Sequence, residues 1–184
     1  MSDPFATLIP DARAFLSDLA ANNTRDWFAA HKSQYESALK TPAAHLLDQI
    51  AADFARDHRE TVKPKLFRPH RDVRFSKDKT PYHTHLHLLW QVVRDGAAPG
   101  YFFGIAPDYV RIGGGMMGFD KPALTAFRTA VDGTAGDALK SILATASQSG
   151  LEAGDPELKR VPAPFDADHP RADLLRRKGL TVWT

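Results

Sequence analysis

Residues 71–82 read Arg-Asp-Val-Arg-Phe-Ser-Lys-Asp-Lys-Thr-Pro-Tyr, the densest concentration of reactive and charged side chains in the chain. In an extended segment Arg71, Val73 and Phe75 share one face, and Asp72, Arg74 and Ser76 the other, because side chains alternate with period two. Beyond Ser76, Lys-Asp-Lys-Thr-Pro reads as a turn, since a residue preceding proline is pushed away from helix. Arg71, Arg74, Lys77, Lys79, the Ser76 hydroxyl and the turn N–H groups can converge on a phosphate or carboxylate. Arginine supplies a bidentate fork and lysine a point charge. Asp72 and Asp78 are the candidate acid–base groups, with Asp72 also placed to orient Arg74. A second reading satisfies the same charges internally: Arg71, Asp72, Arg74 and Asp78 form a salt-bridge network that pins a turn.

Weaker patterns lie around this segment. His83, His85 and His87 stand at period two, so on a strand they point the same way, about 7 Å apart. Two of them could share a zinc or iron with a carboxylate from elsewhere. A polar sheet face of neutral imidazoles is the simpler reading, so no metal is assigned and no cofactor is named. Gly113-x-Gly115-x-x-Gly118 matches the dinucleotide fingerprint in spacing alone. The strands before it read as antiparallel and no strand follows the next helix, so the context fails. Those glycines are read as permitting a tight strand-to-helix turn, or a close approach to the basic segment. Asn22, Asn23, Asp26 and Trp27 could line a pocket, but capping and core packing account for them. Tyr82, Tyr101 and Tyr109 could add a hydroxyl or a stacking surface, with a sheet-core role preferred. Neither a nucleophile elbow nor a phosphate loop occurs.

The elements that must position these residues follow from periodicity. Apolar residues at helical spacing predict a helix over 11–21, a second capped by Thr24, and a third starting at Thr41-Pro42. Alternation then switches to period two. Leu86, Leu88, Trp90 and Val92 form an apolar strand face opposite the histidines. Asp95-Gly96 to Pro99-Gly100 reads as a turn, and 101–106 and 108–112 as two further strands. Residues 66–75 are expected to add a strand, at an edge or bulge because of Pro69. Helices return at 120–131 and 137–146. A proline-rich belt follows over 152–170, and a last short helix over 171–178. The fold class is therefore α+β: a central antiparallel sheet over about residues 66–112 with N-terminal and C-terminal helices packed on it.

With 184 residues, 43% of them hydrophobic and 25% charged, the chain is expected to be a single domain over 1–184. Cysteine is absent, which excludes a disulfide framework, a thiolate metal site and a cysteine nucleophile. No apolar stretch is long enough to span a membrane, and the N-terminus lacks a signal-peptide pattern. A soluble cytoplasmic protein is the expectation. Net charge is +2, but its distribution is uneven. Lys63, Lys65, Arg68, Arg71, Arg74, Lys77, Lys79 and Arg94 face only Asp72, Asp78 and Asp95 between residues 61 and 95. A basic centre between acidic flanks suggests an anionic partner.

Several blocks in order carry a resemblance. They are Phe15-Leu-x-x-Leu19, Asn22-Asn-x-x-Asp-Trp-Phe28 with Tyr35 and Pro42, residues 71–82, Gly100-Tyr101-Phe-Phe, and Gly113-Gly-Gly115 leading to a helix with Arg128. Together they resemble a mostly bacterial family of conserved hypothetical proteins, a domain of unknown function, over roughly residues 11–184. The resemblance implies one α+β domain and transfers no catalytic residue, substrate or cofactor. Family members usually carry lysine where this chain has His83. They also run further, so the C-terminus at Trp183-Thr184 is expected to be short or truncated.

Three functions compete. The leading reading is a site, catalytic or purely binding, for a small phosphorylated or carboxylated ligand, with Arg71, Arg74, Ser76, Lys77 and Lys79 binding the anion. Spacing assigns no nucleophile–base pair, so no reaction class is named. The second is nucleic-acid binding by the same cations, with Phe75, Tyr82 or Tyr101 as stacking platforms. Near-neutral net charge ranks it below the first. The third is an interaction protein in which the segment is a folding device. No membrane partner is expected, and oligomeric state is not legible.

Overall fold

The computed structural model describes residues 5–57, 59, 61–93 and 99–184. Four α-helices precede the first strand: α1 Leu8–Ala21, α2 Arg25–Ala30, α3 Lys32–Gln34 and α4 Thr41–Asp57. A π-helix, Tyr35–Lys40, joins α3 to α4. Then come β1 Val62–Leu66, β2 Leu86–Val92, β3 Gly100–Ile105 and β4 Val110–Met116. Helices α5 Lys121–Asp132 and α6 Ala135–Gln148 follow, then β5 Glu152–Ala153, α7 Ala172–Leu175 and β6 Leu180–Trp183. The six strands form an antiparallel sheet in the order β1-β2-β3-β4-β6-β5, so the protein is α+β.

The sheet is wider than periodicity suggests. It begins at Val62 and takes in β5 and β6, which at two and four residues are too short to show alternation. Past Leu66, the expected strand over 66–75 reduces to one isolated bridge, His70 to Tyr82. Pro69 and Pro81 have no N–H to give a ladder there. The turn expected from Asp95 falls largely outside the described residues, as does Arg94.

By compactness the chain divides into two units interleaved in sequence: 1–92 with 102–111, and 93–101 with 112–184. In the first unit, Thr24 caps α2 by accepting the Trp27 N–H, as its position predicts. The third helix, however, does not start afresh at Thr41. Proline at 42 removes a helical N–H and crowds the carbonyl four residues back, and the preceding turns are wound in π form. The helices pack through aromatic rings. Phe15, 1% exposed, touches Trp27, Phe28 and Tyr35 with centroids 5.6, 6.3 and 5.8 Å away. The apolar face of β2, Leu86, Leu88, Trp90 and Val92, completes this core. There the Trp90 indole N–H donates to the Leu47 carbonyl at 2.9 Å.

In the second unit Asp120 caps α5 by accepting from the Ala123 N–H at 2.8 Å. Val131, Leu174 and Leu175 are its buried centre. The glycines at 113–115 lie inside β4, not in a strand-to-helix turn. Their close approach is to β6: a Cβ on Gly113 would lie 2.2 Å from the Trp183 ring. Gly115, at φ +128°, would put one 2.1 Å from the Leu180 carbonyl oxygen. Only a residue without a side chain suits that conformation and that distance.

Because Phe15 is the hub of the first unit's core, Phe15→Ala is expected to lower unfolding free energy by about 3–5 kcal/mol. Denaturant unfolding checks this; a loss below about 1 kcal/mol would remove Phe15 from that role.

Candidate functional site

Residues 71–81 form an irregular loop, not the extended strand its alternation suggests, and its two ends are tied together. The Arg71 N–H donates to the Pro81 carbonyl at 2.9 Å, and the His83 N–H to the Pro69 carbonyl at 2.7 Å. Across the base, the side-chain amide of Asn23 pairs with both backbone groups of Tyr82. Nδ2 donates to the Tyr82 carbonyl at 2.9 Å, and the Tyr82 N–H donates to Oδ1 at 3.1 Å. The Tyr82 ring is 7% exposed and stacks on Phe28 with centroids 4.1 Å apart.

Inside the loop the charged side chains satisfy one another. Arg71 Nη1 donates to Asp78 Oδ2 at 2.5 Å, to the Thr80 carbonyl at 3.1 Å and to the Thr80 hydroxyl. Asp78 also accepts from the Thr80 N–H at 2.9 Å. Those bonds, led by the Thr80 N–H and the Arg71 guanidinium, lower its carboxyl to about 2. Arg74 forms a fork with Asp72: Nε to Oδ1 at 2.9 Å and Nη2 to Oδ2 at 2.6 Å. That hydrogen bonding holds the Asp72 carboxyl below its ordinary range. Lys79 Nζ donates to the Val73 carbonyl at 3.0 Å. Lys77 is exposed and has no ion-pair partner among the described residues. The Ser76 N–H donates to the Val73 carbonyl at 3.3 Å. Phe75 projects outward, 96% exposed, with the Arg74 guanidinium 5.9 Å from its ring centroid. The loop thus brings the nominated residues together as a fixed turn, with both arginines facing carboxylates.

The histidines also sit together. His83 and His85 ring centroids are 4.7 Å apart, and His85 and His87 stack at 3.6 Å with planes 11° apart. A hydrogen bond of 2.7 Å links His87 Nε2 to the Tyr109 hydroxyl. Among the described residues no group of three or more His, Asp or Glu side chains is arranged to hold a metal. Burial, then the neighbouring imidazoles, lowers His85 and His87 to about 4. Burial and the charges of Arg71 and Arg68 lower His83. The row is therefore a stack of neutral rings beside a positive loop. Of the tyrosines, Tyr82 is core, Tyr109 serves His87, and Tyr101 is 42% exposed in the second unit.

The Asn23 pairing was not legible in the sequence as a loop anchor, and Thr80 drew no attention as a partner of Arg71. The repeated Asn-Asn was the available signal, but capping explains it equally well.

The family described as conserved hypothetical protein (DUF2461) matches residues 11–184, and the chain belongs to it. Comparison with curated proteins and with solved structures returns no match. Among the described residues no helix is long and apolar enough to cross a membrane.

A folded pKa below the ordinary 6.5 means that the unfolded chain takes up protons first. The histidine row leaves stability unchanged above pH 6.5 and erodes it as pH falls from 6.5 towards about 4. The effect of Asp72 and Asp78 begins only below about 3.8. The double variant His85→Gln/His87→Gln is expected to flatten the pH 4–6.5 limb of the stability profile. An unchanged slope would show that the rings titrate normally.

Proposed function

We propose that the protein binds a small phosphorylated or carboxylated ligand beside its basic segment. The supporting observation is a fixed turn with surplus positive charge. Asp78 and Asp72 offset Arg71 and Arg74, while Arg68, Lys77 and Lys79 have no carboxylate partner among the described residues. A turn whose backbone is already tied avoids the backbone ordering cost that a mobile loop incurs on binding an anion. The Arg71–Asp78 and Arg74–Asp72 pairs serve as struts for this site, and Lys77 and Ser76 lie at its rim. Extended nucleic-acid binding is the second reading: the Tyr82 ring is buried against Phe28 and offers no platform, which leaves Phe75, 96% exposed beside Arg74, as the stacking surface on the basic loop.

A melting series at matched ionic strength tests this with inorganic phosphate, citrate and phenyl phosphate. A ligand at about 100 times its Kd adds about 2.7 kcal/mol, or roughly 5–11 °C for a chain of this size. That shift is expected from at least one anion, and its loss in Arg68→Gln/Lys77→Gln/Lys79→Gln. Arg74→Ala, which removes an exposed pair, is expected to leave the melting temperature nearly unchanged. No shift from any anion, with Arg74→Ala badly unstable, would make the loop a folding device.

A further inference from the structure

Beside the loop, a cavity of about 430 Å³ opens between the helical segment and the end of β1. Lys32, Tyr35, Glu36 and Lys40 line one side, and Phe67, Arg68 and His70 the other. Three observations set it apart from an ordinary surface cleft.

First, Tyr35, Glu36 and Lys40 belong to the π-helix. A π turn is rare, and such turns recur at functional sites. Second, the Tyr35 side chain is 6% exposed, its ring held 5.8 Å from Phe15 and 5.3 Å from Phe28. Its hydroxyl has no hydrogen-bond partner among the described residues. Burial, with the Glu36 charge adding to it, pushes that hydroxyl up to about 12, so it is a donor at neutral pH. The hydroxyl is not sealed off: among the described residues the buried side-chain polar atoms without a partner are Nε of Arg171, Arg176 and Arg177, so the Tyr35 hydroxyl stays open to water or to a ligand that accepts from it. Third, the cations are divided. Lys40 is spent on Glu36 at 2.7 Å, whereas Lys32 and Arg68 have no carboxylate partner among the described residues. Phe28, Leu66, Phe67 and Pro69 give the rest of the lining an apolar character.

We infer that this cleft seats the ligand, and that the ligand is a carboxylate or phosphate carried on a flat apolar body. The anion sits between Lys32 and Arg68 and accepts from the Tyr35 hydroxyl. The body lies against Phe67 and Leu66, displacing water from apolar surface. The volume suits a molecule at the lower end of the small-ligand range. This inference rests on the small-anion reading above. It moves the seat away from the loop, whose contribution becomes the placement of Arg68.

Calorimetric titration with phenyl phosphate and with inorganic phosphate tests it. Phenyl phosphate is expected to bind at least about tenfold more tightly, from burial of its ring. Arg68→Gln should weaken it at least about tenfold, as for a charged hydrogen bond. Tyr35→Phe, which keeps the ring and its packing, should weaken it about threefold to tenfold. Lys77→Gln/Lys79→Gln should weaken binding far less than Arg68→Gln does. Circular dichroism confirms that each variant is folded. Two results overturn the cleft while leaving the anion reading standing. One is equal affinity for the two probes. The other is binding that is lost in Lys77→Gln/Lys79→Gln yet intact in Arg68→Gln and Tyr35→Phe. No binding of either probe up to about 10 mM overturns both.

Discussion

The side-chain amide of Asn23 closes on both backbone groups of Tyr82, and the rest of the first unit's candidate site is built outward from that closure. A backbone N–H and carbonyl at the end of an irregular loop have no ladder to join, so they need such a partner. The amide supplies donor and acceptor in the geometry of a strand neighbour. The loop's far end is thereby fixed to the turn between α1 and α2. The stack of Phe28 on Tyr82 makes the junction apolar on its other side. Through Phe28 and Phe15 the same junction is continuous with Tyr35, so the loop base and the cleft wall share one set of packed rings.

That anchoring explains how so many cations sit close together. Repulsion among Arg68, Arg71, Arg74, Lys77 and Lys79 is offset locally by Asp72 and Asp78, and Lys79 is further held by a backbone carbonyl. These pairs are largely exposed, and exposed pairs add little to stability. Their effect is on conformation: Arg71 holds Asp78 and Thr80, and Asp72 holds Arg74, so the direction of each charge is set. Burial, first of all, keeps the neighbouring histidines neutral, with Arg71 and Arg68 adding to it at His83 alone, so no further positive charge accrues on that face. Arg68, Lys77 and Lys79 have no carboxylate partner among the described residues and carry the surplus.

Much of this was legible from residue order. Thr24 and Asp120 cap helices where their types and positions say they should. Leu86, Leu88, Trp90 and Val92 bury one face while the histidines occupy the other. The concentration of charge at 71–79 identified the loop, and of its two readings the structure shows the internal pairing, Arg71 with Asp78 and Arg74 with Asp72. What was not legible depended on contacts between distant residues. Asn23 meets Tyr82 across 59 positions, and Gly113 faces Trp183. A four-residue strand such as β6 has no period to detect. The π-helix arises from one proline within an otherwise helical stretch, where local rules predict a fresh start. Tyr35 was visible only as part of a core stripe. Its unpaired hydroxyl and its place in the same cavity lining as Arg68 emerge only in the folded chain.

The proposed anion-binding cleft depends on the anchored loop and the π-helix together. Backbone amide chemical shifts, followed by NMR as phenyl phosphate is added, test it most directly. The largest shifts are expected at residues 32–40 and 66–70, with small ones at 72–79. Shifts centred on 72–79, or none at either segment, would contradict it.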